Sequence, residues 1–261
     1  MKSGKVTMNR RNWIAGSLAG SLAGSLGAGV VSPALADACA AKPGTPPALL
    51  PERLMSDWAW LARYRDDNAA LIASKARVHT VFLGDSITEG WRESQPAFFE
   101  KGNVCRGISA QTTPQMLVRM PADVVALYPR VVHIMAGTND IAFNTGPMSV
   151  DDTKRNLQAL CDIARANRIR IVLASIPPAA RFPWRPGLET AGTITALNGW
   201  IRGYAKGTGA VYADYHSAMS DGKGGMKPGL ASDEVHPTAQ GYEVMRPIAE
   251  QAIAAAVAAR G

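Results

Sequence analysis

Residues 81–91 read VFLGDSITEGW, and this stretch decides the fold class. Val81, Phe82 and Leu83 close an apolar run from Val78 that suits a buried strand. Gly84-Asp85-Ser86 then turns the chain, and Ile87-Thr88 opens a helix. The same order recurs along the chain. Further strands are expected at Val104–Arg106, Val131–Ala136, Ile169–Ala174 and Ala210–Ala213. Helices are expected at Thr113–Leu127, Val150–Asn167, Thr190–Lys206 and Ala239–Ala259, with an earlier helical pattern through Leu54, Trp58, Leu61, Leu71 and Ile72. Short β-branched runs separated by helical stretches imply crossovers, and so an α/β domain whose parallel sheet is covered on both faces. Functional loops of such a sheet gather at the carboxyl ends of its strands. Here those loops are GDSIT, RGIS, GTND, IPPAARFPWRPG and, before the last helix, DEVHP.

The loops hold the parts for acyl transfer. Ser86 at a strand-to-helix turn is lifted above the sheet edge, near helix N-terminal amides that stabilise developing negative charge. Alone it reads equally as a helix cap. Asp233-Glu234-Val235-His236 puts a carboxylate three residues before an imidazole. A serine hydroxyl needs a base to take its proton, and that base needs a buried carboxylate to fix its tautomer. Of the four histidines, His79 and His133 fall in strand runs, and His216 lies beside Tyr212 and Tyr215 as a surface or supporting group. Gly107 offers an unobstructed backbone N–H and Asn139 a side-chain amide for an oxyanion; the plain alternatives are a turn glycine and an Asx-turn asparagine. Trp184, in the long loop Arg181–Pro186, reads either as a substrate-facing wall or as a loop anchor.

VFLGDSITEGW, NVCRGISAQTT, AGTND and DEVHPTAQGY resemble, in order, the four blocks of the SGNH hydrolases, also called the GDSL family. The first block has Ile87 where the family's shorthand has leucine. The resemblance implies a flavodoxin-like three-layer α/β/α sandwich with a five-stranded parallel sheet of order 2-1-3-4-5. It implies a Ser86–His236–Asp233 triad and an oxyanion hole formed by the Ser86 N–H, the Gly107 N–H and Asn139. RGISAQTTPQMLVR is similar to the bacterial esterase branch with platelet-activating-factor acetylhydrolase-like proteins, which implies short acyl esters of carbohydrates or small alcohols. Lysophospholipase or thioesterase activity is the alternative within the family, and no metal or organic cofactor is implied. Two readings compete from outside it. A metal-dependent phosphoesterase needs histidines that GDS and GTND lack. A non-catalytic carbohydrate-binding module leaves the full set of competent residues unexplained.

Composition narrows the remaining classes. The chain has 261 residues, 47% hydrophobic, enough for one α/β domain. Its formal charge of +7 is not a nucleic-acid signature: without residues 1–36 it is 24 basic against 21 acidic residues, scattered without runs. Arg10-Arg11, a soft Ala/Gly/Ser/Leu stretch and Ala34-Leu35-Ala36 read as a twin-arginine-like signal peptide over 1–36, so export to the periplasm or beyond is expected. A disordered low-complexity tail is the bland alternative. A Pro/Gly-rich linker is expected over 37–50 and the hydrolase domain over 51–261. No run of eighteen strongly apolar residues suggests a membrane span. Cys39, Cys105 and Cys161 form no metal-binding pattern, and oligomeric state is not legible.

Overall fold

The computed structural model describes residues 49–259. The expected signal segment, Cys39 and the linker up to residue 48 lie outside the described residues. In chain order the elements are α1 (Pro51–Ser56), α2 (Arg65–Ala73), β1 (Thr80–Gly84), α3 (Ser86–Ser94), β2 (Asn103–Gly107), α4 (Thr113–Asp123), β3 (Val131–Met135), α5 (Thr138–Ile141), α6 (Val150–Ala166), β4 (Arg170–Ala174), α7 (Ala191–Thr208), β5 (Val211–Ala213), α8 (Tyr215–Met219) and α9 (Ala239–Ala258). The first helix starts at Pro51, whose missing N–H costs nothing at that position.

The five strands form one parallel sheet of order β2-β1-β3-β4-β5. Helix α9 packs across β3, β4 and β5 and touches α3, while α4, α6 and α7 pack in succession against one another. Burial on both faces explains the strand composition: every residue of β1 and β3 is buried. The register also positions the site. Gly84, the last residue of β1, pairs with Gly107 on one side and Met135 on the other. Three strands therefore end level, and the loops that follow them meet.

Local chemistry starts the helices. Ser149 and Asp152 form a reciprocal capping box on α6, and the Thr238 hydroxyl accepts the Gly241 N–H on α9. Gln115 Oε1 accepts the Thr112 N–H at 3.1 Å ahead of α4. The expected helix to Leu127 stops at Asp123, and Val125–Leu127 continues as a separate 3₁₀ turn.

An aromatic cluster joins α3, α9 and the sheet. Trp91 stacks on Tyr242 at 5.7 Å and meets Phe82 edge-on at 5.8 Å. The Tyr242 hydroxyl donates to the Ile87 carbonyl at 2.9 Å, locking the helix after Ser86 to the helix after His236. His133 is a core residue: its Nε2 lies 2.7 Å from the Tyr215 hydroxyl, and burial pushes its pKa down to about 3, so the ring is neutral. Cys105 and Cys161 are free, buried thiols.

Candidate active site

The turn between β1 and α3 is built around Ser86. A Cβ on Gly84 would lie 2.1 Å from Thr88 Oγ1 and 2.9 Å from the Met135 carbonyl, so only glycine passes there. Asp85 caps α3, its Oδ1 accepting the Ile87 N–H at 3.0 Å. The cap is thus Asp85, and the capping alternative for Ser86 falls away. Ser86 is the first helical residue, and its N–H, among the orphan donors of a helix start, has no partner among the described residues.

The Leu230–Thr238 loop delivers an acid and a base together. It is closed by Thr238 N–H to the Leu230 carbonyl and Ser232 N–H to the His236 carbonyl, both 2.9 Å. Glu234 takes a left-handed conformation, φ 74°, which folds the loop back on itself. Asp233 Oδ1 then accepts the His236 N–H at 2.8 Å and the Val235 N–H at 3.2 Å, while Oδ2 meets His236 Nδ1 at 2.7 Å. An ionised carboxylate only accepts, so Nδ1 carries the proton and Nε2 is free to accept. His236 Nε2 lies 2.9 Å from Ser86 Oγ.

Partial burial works to raise the Asp233 pKa, but the donors from the His236 backbone and ring outweigh it and hold the carboxyl below its ordinary value. The sequence reading expects a buried carboxylate here. Instead the Asp233 side chain is 46% exposed, and its hydrogen-bond donors fix its orientation.

Asn139 stands on α5 beneath the same edge and is 3% exposed. Its Oδ1 accepts from Asn144 Nδ2 at 2.8 Å. Its Nδ2 donates to the Gln111 carbonyl at 3.1 Å and faces Asp85 Oδ2 at 3.3 Å. Asp140 ties the element down, accepting the Thr113 N–H at 3.0 Å and the Thr113 hydroxyl. Asp85 is fully buried, and burial raises its carboxyl to about 6, against the lowering effects of the Ile87 N–H and nearby His236.

Gly107 departs from expectation. A Cβ there would sit 2.3 Å from Glu89 N, 2.7 Å from the Thr88 carbonyl carbon and 2.8 Å from the Asp85 carbonyl oxygen. Its N–H is directed to Cys105 Sγ at 3.5 Å, and its carbonyl accepts the Tyr64 hydroxyl. Gly107 is therefore a contact point where β2 presses on α3 and presents no open donor. An open N–H that the sequence did not point to lies three residues on. Ala110 is buried with φ 66°, and its N–H has no partner among the described residues. Its carbonyl accepts from Asn144 Nδ2 at 3.4 Å, and the next residue's carbonyl holds Asn139. An alanine in the left-handed region carries no sequence signature comparable to a glycine.

Trp184 lies at the rim. It stacks on buried Phe182 at 5.1 Å and 5°, its ring is 6.3 Å from that of His236, and its Nε1 donates to Asn144 Oδ1 at 3.3 Å. One indole face is thus covered by Phe182, and the residue remains 39% exposed beside the imidazole. Arg181 pairs with Glu234 through two nitrogens, joining this loop to the one that bears His236. His79 lies just before β1 and His216 on α8, and neither takes part in these contacts. Among the described residues no three His, Cys, Asp or Glu side chains gather as a metal site, and no helix is long and apolar enough to cross a membrane.

Residues 82–244 match the sequence model described as the GDSL-like Lipase/Acylhydrolase family. No curated protein matches the chain in sequence. Among solved structures, a Bacteroides fragilis protein assigned as an acylhydrolase is 40% identical, with a TM-score of 0.74, covering 77% of this chain and 99% of its own. Two more distant proteins share the fold. One from Streptococcus pneumoniae, named for platelet-activating factor, is 21% identical with a TM-score of 0.63, covering 77% of this chain and 97% of its own. An acetylxylan esterase from Geobacillus stearothermophilus is 20% identical with a TM-score of 0.54, covering 67% of this chain and 94% of its own. With the family match spanning most of the chain and the parallel sheet in the expected order, the protein belongs to the GDSL-like lipase/acylhydrolase family and is a carboxylic ester hydrolase.

Proposed function

We propose that the chain is a serine esterase that removes short acyl groups, acetyl first among them, from carbohydrates or small alcohols. The observation that carries this reading is the unbroken contact from Ser86 Oγ through His236 to Asp233, at 2.9 and 2.7 Å. Ser86 Oγ attacks the ester carbonyl carbon as His236 Nε2 takes its proton, and Asp233 stabilises the imidazolium. The carbonyl oxygen becomes an oxyanion, held by the Ser86 N–H, the Ala110 N–H and Asn139 Nδ2. The oxyanion displaces the longer of the two Nδ2 contacts, the one to Asp85. Collapse expels the alkoxide, which leaves with the proton from His236. Water then attacks the acyl-enzyme by the same route, releasing the acid and restoring Ser86.

Trp184 supports the substrate class. Its indole, covered on one face by Phe182, hydrogen-bonded to Asn144 and 39% exposed beside His236, suits a sugar ring better than a long alkyl chain. The acetylxylan esterase that shares the fold makes an acetylated sugar a natural first substrate. The decisive experiment is an ester panel varying acyl length and alcohol, with stoichiometric phosphonate labelling of Ser86. Preference for acetylated sugars, with a raised KM in Trp184→Ala, supports the reading; preference for long acyl chains replaces it with lipase chemistry. We also propose, from the sequence pattern alone, export by the twin-arginine route with cleavage after Ala36. N-terminal sequencing of the protein from its native cell tests this, and an intact Met1 on cytoplasmic protein refutes it.

A further inference from the structure

The Gly107–Gln111 loop places Ala110 at φ 66°, in a left-handed backbone region that a non-glycine residue enters only at a cost. Such a conformation persists only where its neighbours over-determine it. On the Gln111 side the restraints are plain: Gln111 Nε2 donates to the Ala59 carbonyl at 2.7 Å, and Arg119 Nε donates to Gln111 Oε1 at 2.6 Å. On the Ser109 side one carboxylate makes the side-chain hold. Glu89 Oε2 accepts the Ser109 N–H at 2.8 Å and the Ser109 hydroxyl at 2.6 Å. Its Oε1 accepts from Arg63 Nη2 at 3.1 Å, with side-chain exposures of 15% for Glu89 and 29% for Arg63.

Glu89 stands one turn beyond Ser86 on α3, so nucleophile and loop are referred to the same helix. Arg63 is itself fixed, with its guanidinium carbon 4.8 Å from the Tyr64 ring centroid and 5.8 Å from that of Trp60. Tyr64 in turn donates its hydroxyl to the Gly107 carbonyl. This brace comes from upstream of the stretch that matches the family model, 82–244.

We propose that Glu89, braced by Arg63, is a positioning residue that keeps the Ala110 N–H aimed at the developing oxyanion. It never touches substrate; it acts through Ser109. The inference rests on the oxyanion role proposed above for Ala110.

The test is Glu89→Ala and Glu89→Gln in the full chain, with steady-state kinetics on a short-chain ester, thermal unfolding and binding of benzeneboronic acid, which forms a tetrahedral adduct on serine. Glu89→Ala should lower kcat by about 10²-fold with KM changed less than about threefold, because one donor to the tetrahedral state is misaimed. Boronate affinity should fall by a similar factor. Glu89→Gln, which keeps an acceptor for Ser109, should recover most of both. Unchanged kcat in Glu89→Ala overturns the proposal. So does a loss of kcat that tracks a lowered Tm while boronate affinity stays at the wild-type value. If Glu89→Ala does not fold, Arg63→Met and Ser109→Ala decide: each should give a smaller parallel loss in kcat and boronate affinity, and wild-type values in both variants overturn the proposal. Ser86→Ala separates this failure from failure of the serine-esterase reading. An active Ser86→Ala protein refutes that reading whatever Glu89 does, whereas an inactive one leaves the Glu89 result to stand alone.

Discussion

Replacing Gly107 by alanine separates a glycine kept for its exposed N–H from one kept for its missing side chain. The alanine N–H is unchanged, so a donor role predicts nearly normal turnover. The geometry predicts otherwise. The new Cβ meets three backbone atoms of the Asp85–Glu89 turn at 2.3, 2.7 and 2.8 Å, where ordinary contact begins near 3.4 Å. None is the movable tip of a side chain, so relief requires roughly 1 Å of relative movement between β2 and α3. Overpacking of this kind costs about 1–3 kcal/mol, and rigid backbone on all three sides argues for the upper end. At about 2–4 °C per kcal/mol for a domain of this size, Tm should drop by roughly 6–12 °C. If α3 yields instead, Ser86 moves away from His236 Nε2, and a displacement of ~1 Å costs about 10²-fold in kcat. Differential scanning calorimetry and initial rates on one purified preparation read both outcomes. A Gly107→Ala protein with wild-type Tm and kcat refutes the packing argument.

Three further outcomes follow from the site. Ser86→Ala and His236→Ala should each lower kcat by several orders of magnitude, up to ~10⁶, with Asp233→Ala costing less; near-normal turnover of pure Ser86→Ala protein contradicts the triad. Asn139→Ala should lower kcat by ~10²–10³-fold with KM little changed, since one donor to the oxyanion is lost; a stable variant with normal kcat removes Asn139 from the oxyanion hole. Asp85 carries the pH dependence. Its folded pKa is raised from 3.8 to about 6, so between those values the native state keeps a proton that the unfolded chain has released. Stability from this group is therefore full below pH ~4 and is lost as pH rises through ~6, by at most about 3 kcal/mol. Asp85→Asn cannot titrate, so its stability relative to wild type should rise by up to that amount between pH 4 and 8 in urea unfolding; a pH-independent difference contradicts it.

The strands were legible because both-face burial writes apolar runs, as in Val81–Leu83 and Ile171–Ala174, and their spatial order followed from the family resemblance. The contact between Asp233 and His236 was legible because the two lie three residues apart on one loop. Other features depend on distant partners and leave no local trace. Glycine at 107 signals that a side chain is unwelcome without saying whether a ligand or a helix excludes it. The Ala110 conformation is held through Glu89 and Ala59, 20 and 52 residues from their partners in the loop, and through Arg119 on the next helix. Asp85 and Ser86 are both good caps, and only the fold reveals that Asp85 takes that place.

The closed Leu230–Thr238 loop has a mechanical consequence. Asp233 and His236 are joined through a backbone bond and a ring bond within the same loop, so they travel as one body. Ser86 stands on a different element, α3, tied to the helix after this loop through the Tyr242–Ile87 hydrogen bond, and the proton must cross from one to the other. Any displacement of the loop, which the Arg181–Glu234 pair restrains from outside, would lengthen the Ser86–His236 contact before it disturbed the imidazole and its carboxylate. An enzyme displaced in that way would keep the Asp233–His236 hydrogen bond yet lose reactivity toward phosphonates, so integrity of the acid–base pair would not by itself report competence of the nucleophile.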